Sequence, residues 1–360
     1  MASTGIHVRA DMQGSYRFSR WLFTSMSAFA LACGLIQPAQ ASDVAGFYKG
    51  KTVELISGAS EGGTYTGYAR AIAPYLTKHL PGNPTVIVRS MPGAGSLIAA
   101  RHLYHQASKD GTIIGTIMRG AVMEPLIGEP GIANFDSPKF NFLASASTAN
   151  GITCIARSDA KVQTFKQALK EPLIVGASAR GSAIGDMPRY LNNWLNTRFE
   201  IVSGYKGTPD TILAFERGEI EGICGLQFAD LPRQIPSWKD GKAKVILQIG
   251  MRSDEAMNKL NVPEIWDFIA NPSERTVGEL VYAQLEFGRP FVAPPGVPAE
   301  RVTALRKAFT ETFRDPGFVA DIDKMKFELD PRSGEEVQAL VEKLFSASPA
   351  LIARAREIVK

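Results

Sequence analysis

Histidine is nearly missing from this chain, and most metal-ion and proton-transfer chemistry goes with it. Only 4 occur in 360 residues. His102 and His105 stand three apart on one helical pattern with no thiol or carboxylate placed to complete a metal shell, and His79 closes a helix ahead of Pro81. No metal and no cofactor is expected. Nucleophile-elbow sequences and Cys/His pairs are also lacking, so a catalytic reading has only Ser96 or Ser182 to offer, with no base beside either. The formal net charge is only +4, and the basic residues are scattered rather than clustered among aromatic platforms, which excludes nucleic acid as a partner. Long apolar runs are scarce. Trp21 to Ile36 spans about 16 residues, short of the ~20 a membrane-crossing helix needs, and no other run approaches it.

That one apolar run has a different meaning. Arg17 and Arg20 precede it, and Ala39-Gln40-Ala41 places small residues where an export peptidase cuts. Residues 1–41 are expected to be a signal peptide, cleaved near Ala41, which places the mature chain in the periplasm. A membrane anchor, or a lipid on Cys33, is the competing reading. Of the 3 cysteines, Cys33 leaves with the signal, and Cys154 and Cys224 remain as a pair in an oxidising compartment. A disulfide between them is expected, worth about 3–5 kcal/mol through the loop it closes. Two buried thiols are the alternative.

Glycine, by contrast, is plentiful at 33 residues. Residues 57–70 read SGASEGGTYTGYAR and join an apolar strand, Val53 to Ile56, to an amphipathic helix beginning near Thr66. Gly58, Gly62 and Gly63 allow a tight turn, while Thr64, Tyr65 and Thr66 fall where a helix start leaves N–H donors unpaired and its dipole positive. Such a turn attracts anions. For one loop alone, glycines serving geometry are the alternative. Residues 90–100, SMPGAGSLIAA, repeat the design after a second buried strand, Thr85 to Val88, with Gly93, Ala94, Gly95 and then Ser96 as a helix N-cap. Open α/β sheets bind ligands beyond the carboxyl ends of their strands, so two such loops side by side reinforce each other.

Between these loops, Ala69, Ile72, Ala73, Leu76 and Leu80 recur at helical spacing, with Pro74 expected to kink or restart the helix. A third strand is expected over 112–118. NFLASASTAN, residues 141–150, reads as a crossing, after which strand and helix patterns alternate through residue 249. The organisation is α/β, two doubly wound domains with a ligand cleft between them: 42–148 with 250–360, and 149–249. The second domain has its own glycine loop, GASARGS at 176–182, which adds the cation Arg180. Tyr65, Tyr68 and Phe228 are aromatic candidates for the cleft, of which only Tyr65 is retained. The helix bearing Val302, Leu305, Phe309 and Phe313, and the final segment 335–359, are expected on the first domain.

Taken in order, these stretches resemble the periplasmic solute-binding proteins of tripartite tricarboxylate transporters, the Bug-type receptors. The resemblance rests on Phe47-Tyr48-Lys49-Gly50-Lys51, GG followed by YAR, MPGAGS, KDGTIIGT, GYKG and GRPFVAPPGVPAERV, and it covers nearly all of the mature chain. It implies a type II periplasmic-binding-protein fold that closes on a small organic carboxylate and delivers it to membrane permease subunits, as a monomer and without catalysis. Gly62, Gly63, Thr64 and Tyr65 match the first carboxylate loop, and Gly93, Ala94, Gly95 and Ser96 match the second. Ser178, Arg180, Gly181 and Ser182 are expected at the ligand's other end, Arg180 as a fork for a second carboxylate or else as a solvated loop cation. Thr66 stands where many relatives have Asp, which implies an anionic ligand with no adjacent amine. A secreted enzyme acting on small acids or esters, and a binding protein feeding a membrane sensor, are the competing functions.

Overall fold

The apolar run Val53, Leu55 and Ile56 becomes β1 (Thr52–Ser57), with all three side chains fully buried. In the computed structural model, which describes residues 43–360, a short helix α1 (Val44–Tyr48) leads into this strand. β1 runs parallel to both its neighbours, β2 (Thr85–Ser90) and β3 (Ile113–Thr116). The expected signal peptide, residues 1–41, and Cys33 lie outside the described residues. Helix α2 (Thr64–His79) follows the first glycine loop and runs unbroken through Pro74. It starts two residues ahead of the expected Thr66. β2 corrects the expectation of a buried strand: it is last in its sheet, its burial alternates, and Ile87 is 48% exposed.

Helices α3 (Leu97–His105) and α4 (Arg119–Ile127) follow β2 and β3; the first half of the segment read as a crossing is β4 (Asn141–Ser145), and the chain passes to the second sheet over 146–151. Small residues such as Ala144 and Ser145 carry little strand propensity, but β4 is covered on both sides and pairs antiparallel with β10 (Pro290–Ala293). β10 also runs antiparallel to β3, and the two-residue β11 (Arg332–Ser333) closes the edge, giving the order β11-β4-β10-β3-β1-β2. The sheet is therefore mixed.

A second mixed sheet takes the order β7-β6-β8-β5-β9. Its strands are β5 (Ile152–Arg157), β6 (Leu173–Ala177), β7 (Phe199–Ser203), β8 (Gly222–Gln227) and β9 (Ala243–Ile249), with β6 parallel to β7 and β8 and with β5 antiparallel to β8 and β9. Between them run α5 (Phe165–Ala168), α6 (Ala183–Leu195), α7 (Thr208–Arg217) and α8 (Leu231–Gln234). α6 runs through Pro188, because Ser182 caps it six residues earlier through the Gly185 N–H (3.1 Å). Cys154 and Cys224 sit opposite each other on β5 and β8 and form a disulfide, so the free-thiol alternative falls away.

The C-terminal third is shared between the sheets. α9 (Glu255–Lys259) and the following turn pack on the second sheet, where Met257 and Val262 join a core with Ile223 and Val245, and Gln248 Nε2 donates to the Val262 carbonyl (2.8 Å). α10 (Pro272–Tyr282) is capped by Asn271, whose side chain accepts the Ser273 N–H (2.9 Å). α11 (Ala299–Arg314) buries Val302, Leu305, Phe309 and Phe313, as its periodicity indicated, and packs with α12 (Pro316–Lys324) on α2. α13 (Gly334–Phe345) covers β4. The last helix, α14 (Pro349–Val359), departs from expectation: it bridges both sheets' helices instead of lying on the first alone. Asn193 of α6 donates to the Ile358 carbonyl (3.0 Å), Arg356 donates to the Leu126 carbonyl of α4 (3.2 Å), and Arg354 forks onto Glu274 of α10 (2.9 and 3.0 Å).

The disulfide closes a segment of separation 70, so its loss frees a large part of the second sheet's chain in the unfolded state. Replacing Cys154 and Cys224 together by alanine is expected to lower stability by about 2–5 kcal/mol, read from urea unfolding of the mature protein. The same loss should follow reduction of the unaltered protein.

Candidate functional site

Because β1, β2 and β3 are parallel, the loops that follow them emerge at the same edge, and the loops after β6, β7 and β8 face them from the second sheet. Between the two sets lies a cleft of about 180 Å³. Its first wall is built on strained backbone: Gly93, Ala94, Gly95 and Ser96 have φ of 131°, 45°, 61° and 78°. For alanine and serine the left-handed region costs roughly 1–2 kcal/mol each, so something must hold them there. Ser96 supplies it. Its Oγ donates to the Gly58 carbonyl (2.9 Å) and accepts the Met118 N–H (3.1 Å), joining the three loops. Ser96 stands at the N-cap position of α3, but its side chain caps nothing. Gly58 lets this hydroxyl approach, since a Cβ there would lie 2.4 Å from Ser96 Oγ.

Ten of the expected ligand residues line the cleft: Gly63, Thr64, Tyr65, Gly93, Ala94, Gly95, Ser96, Ser178, Gly181 and Ser182. Three do not. Gly62 is exposed at the rim. Thr66 is fully buried and points inward, its Oγ1 donating to the Ser60 carbonyl (2.8 Å) and accepting from Ser57 Oγ (2.8 Å), so it braces the loop and cannot select against an amine. Arg180 is exposed, and its guanidinium turns out of the cleft to the Lys360 carbonyl. The turn at Gly181 sets that direction, and the expected carboxylate fork is not formed. Ser178 and Ser182 bond each other (2.6 Å) while Ser182 caps α6, so these hydroxyls are committed to the loop.

Across the cleft the two sheets' loops meet backbone to backbone. A Cβ on Gly95 would lie 2.1 Å from the Arg180 carbonyl, and one on Gly120 2.6 Å from the Gly181 carbonyl. Only glycines permit that approach.

The sequence reading missed the charged members of the lining. Arg119 begins α4, and Arg289 precedes β10; both line the cleft and are only 7% and 5% exposed. Arg289 lies over the rings of Tyr65 and Tyr68 (5.4 and 5.1 Å), and its guanidinium donates to Gln227 Oε1. Among the described residues its Nε and Nη1, and Nη2 of Arg119, have no partner. Burial pulls Arg119 below the ordinary arginine value. It acts on Arg289 the same way, but Tyr68, Tyr65, Asp230 and Glu328 more than offset it. Both signals were available: Arg119 follows a strand at its carboxyl end, and Arg289 adjoins the apolar run of β10, where a cation is rare without a function.

Helix ends add to this field. α6, α9, α10, α12, α13 and α14 each have a side-chain cap. α2, α3, α4 and α7, whose first residues or N-cap positions line the cleft, have none. Apart from the Arg119 N–H of α4, which donates to Tyr65 Oη (3.4 Å), their first turns carry no side-chain cap and their positive dipole ends face the cleft.

No family model and no curated protein matches this chain. Solved structures do. The periplasmic binding protein BugD is 20% identical with a TM-score of 0.65, covering 87% of this chain and 99% of its own. MatC from Rhodopseudomonas palustris with bound malate is 19% identical (TM-score 0.64, covering 86% of this chain and 99% of that one). Rpa4515 from R. palustris with adipate is 19% identical (TM-score 0.63, 86% and 96%). The chain has the periplasmic binding-protein fold. Within that fold the cleft described above lies between the two sheets.

Two carboxylates of this periplasmic binding fold give it a pH signature. Burial pushes Glu328, whose Oε2 accepts from Gln227 (2.8 Å), and Asp186, whose Oδ1 accepts from Gly181 N–H (3.0 Å), up to about 7 each. Their unfolded values are near 4, so between about pH 4 and 7 the folded chain holds protons that the unfolded chain has released. Stability from these groups is full below that window and is lost as pH rises through it. The ligand-free protein should therefore melt lower at pH 8 than at pH 5.5, and Glu328→Gln should reduce that difference; an unchanged pH slope in the variant contradicts the assignment.

Proposed function

We propose that this chain is a periplasmic solute-binding receptor that captures a small carboxylate by closing two lobes over it and hands it to the permease of a tripartite tricarboxylate-type transporter. The lobes are residues 42–148 with 250–360, and 149–249, each carrying one sheet, with α9 and the following turn moving with the second. The observation that carries the reading is the set of four uncapped helix starts facing one cleft, beside two buried arginines. Together they form a preorganised positive site with nothing negative bound to it directly. The bound malate and adipate of MatC and Rpa4515 show that the same fold is found with such ligands. The serines offered for catalysis support binding, since Ser96 and Ser182 spend their hydroxyls on loop carbonyls and N–H groups. Export by the residues 1–41 signal places the receptor in the periplasm, acting as a monomer.

A melting screen of the ligand-free mature protein against mono-, di- and tricarboxylates tests this. At a hundredfold excess over Kd a true ligand stabilises by about 2.7 kcal/mol, a rise in Tm of roughly 4 °C for a chain of this size. No shift with any acid overturns the reading. Closure has its own check. Gly95→Ala places a methyl against the Arg180 carbonyl, so it should weaken the best acid at least tenfold, which calorimetry would show, while leaving the far-ultraviolet circular dichroism unchanged.

A further inference from the structure

Five charged side chains line the cleft, and their pairing is incomplete. Asp230 is committed to Arg233 (2.9 Å) and Gln234 (3.3 Å). Asp186 accepts the Gly181 N–H and forms no ion pair among the described residues, and Lys206 is exposed to solvent. Arg119 and Arg289 remain, both more than nine-tenths buried, neither paired with a carboxylate, and three of their side-chain nitrogens have no partner among the described residues. For Arg119 burial outweighs the charges around it, whereas for Arg289 the nearby Tyr68, Tyr65, Asp230 and Glu328 offset burial without forming a direct ion pair.

The two are brought to one place by a single phenol. Tyr65 Oη donates to the carbonyl of Gly288, next to Arg289, at 2.7 Å, and accepts the backbone N–H of Arg119 at 3.4 Å. Chain segments 170 positions apart are thereby pinned to the same hydroxyl, with the Arg289 guanidinium over the Tyr65 ring. Gln227 of the second sheet then takes one Arg289 nitrogen and donates its own amide to Glu328, which leaves Nε and Nη1 of Arg289 free.

From this convergence we infer that Arg119 and Arg289 are the specificity-determining residues of the cleft: their guanidiniums hold the ligand's oxyanion directly, with Tyr65 as the residue that positions them. The inference rests on the cleft being the ligand site proposed above, and it assigns recognition to side-chain cations of the first sheet, not to the loop amides alone or to Arg180. Two guanidiniums with no direct carboxylate partner among the described residues select a ligand that brings two negative charges, and they discriminate against esters, amides and zwitterions whose charge is masked.

Calorimetry of the mature protein, Arg119→Gln and Arg289→Gln with malate, adipate and their monomethyl esters tests it, alongside the Tm of each ligand-free protein. Each variant should bind the diacids about 30-fold or more weaker, with a smaller loss for the monoesters. Ligand-free Arg119→Gln should melt at or above the unaltered protein, because a buried unpaired charge is gone, whereas a structural arginine would leave it lower. Unaltered protein that binds diacids together with variants that bind them within threefold, or with an Arg119→Gln variant that is destabilised or unfolded, overturns the assignment and leaves the receptor reading standing. An unaltered protein that binds none of the panel of carboxylates overturns the receptor reading itself.

Discussion

The hydroxyl of Ser96 is the point on which the binding face depends. Its side chain bonds both neighbouring loops at once, through the Gly58 carbonyl and the Met118 N–H, and it sits in a left-handed conformation that serine does not choose freely. Those two bonds fix the loops after β1, β2 and β3 relative to one another. The starts of α2, α3 and α4 consequently open on one volume. Without that fixation the three helix dipoles would be three separate weak effects, each screened by water; gathered at a cleft with low-dielectric walls, they add.

Charge in this site is arranged by leaving groups unpaired. Most helices away from the cleft are capped by Ser, Thr, Asp or Asn, with α11 an exception, whereas at the cleft α6 is capped and α2, α3, α4 and α7 are not. The same holds for the arginines. Arg354, on the outer face, has two carboxylates, while Arg119 has none among the described residues. Withholding partners from two buried cations along one surface destabilises the fold there, and that deficit is what a bound anion would remove.

How much of this could be read from the chain alone follows physical lines. The loops at 57–70 and 90–100 were legible because glycine and strand-to-helix transitions are local signals, and the strands flanking them were apolar enough to stand out. β4 was not, since Ala144 and Ser145 are strand residues only by virtue of β10 and β11 on either side. Thr66 and Arg180 show a different limit. Position on a loop can be inferred from sequence, but the direction of a side chain is set by the turn beneath it, and Thr66 points into the loop while Arg180 points out of the cleft. Arg289 shows the opposite limit: it adjoins the apolar run of β10, and nothing local in that run tells that the cation faces a cleft.

The backbone contact among Gly95, Gly120 and Gly181 bears on how the molecule moves. The loops of the two sheets meet without side chains between them, so the closed arrangement gains little from burial at that point and little is lost when it opens. What opposes wide separation lies elsewhere, in α14, whose bonds reach α4, α6 and α10 together. With a tight but weakly cohesive contact at the cleft and α14 joining both sheets' helices, an anion's charge would be the main term that differs between the open and closed states of the proposed receptor. That is the condition under which an anion can shift the equilibrium, since a ligand moves a conformational balance only by its differential affinity for the two states.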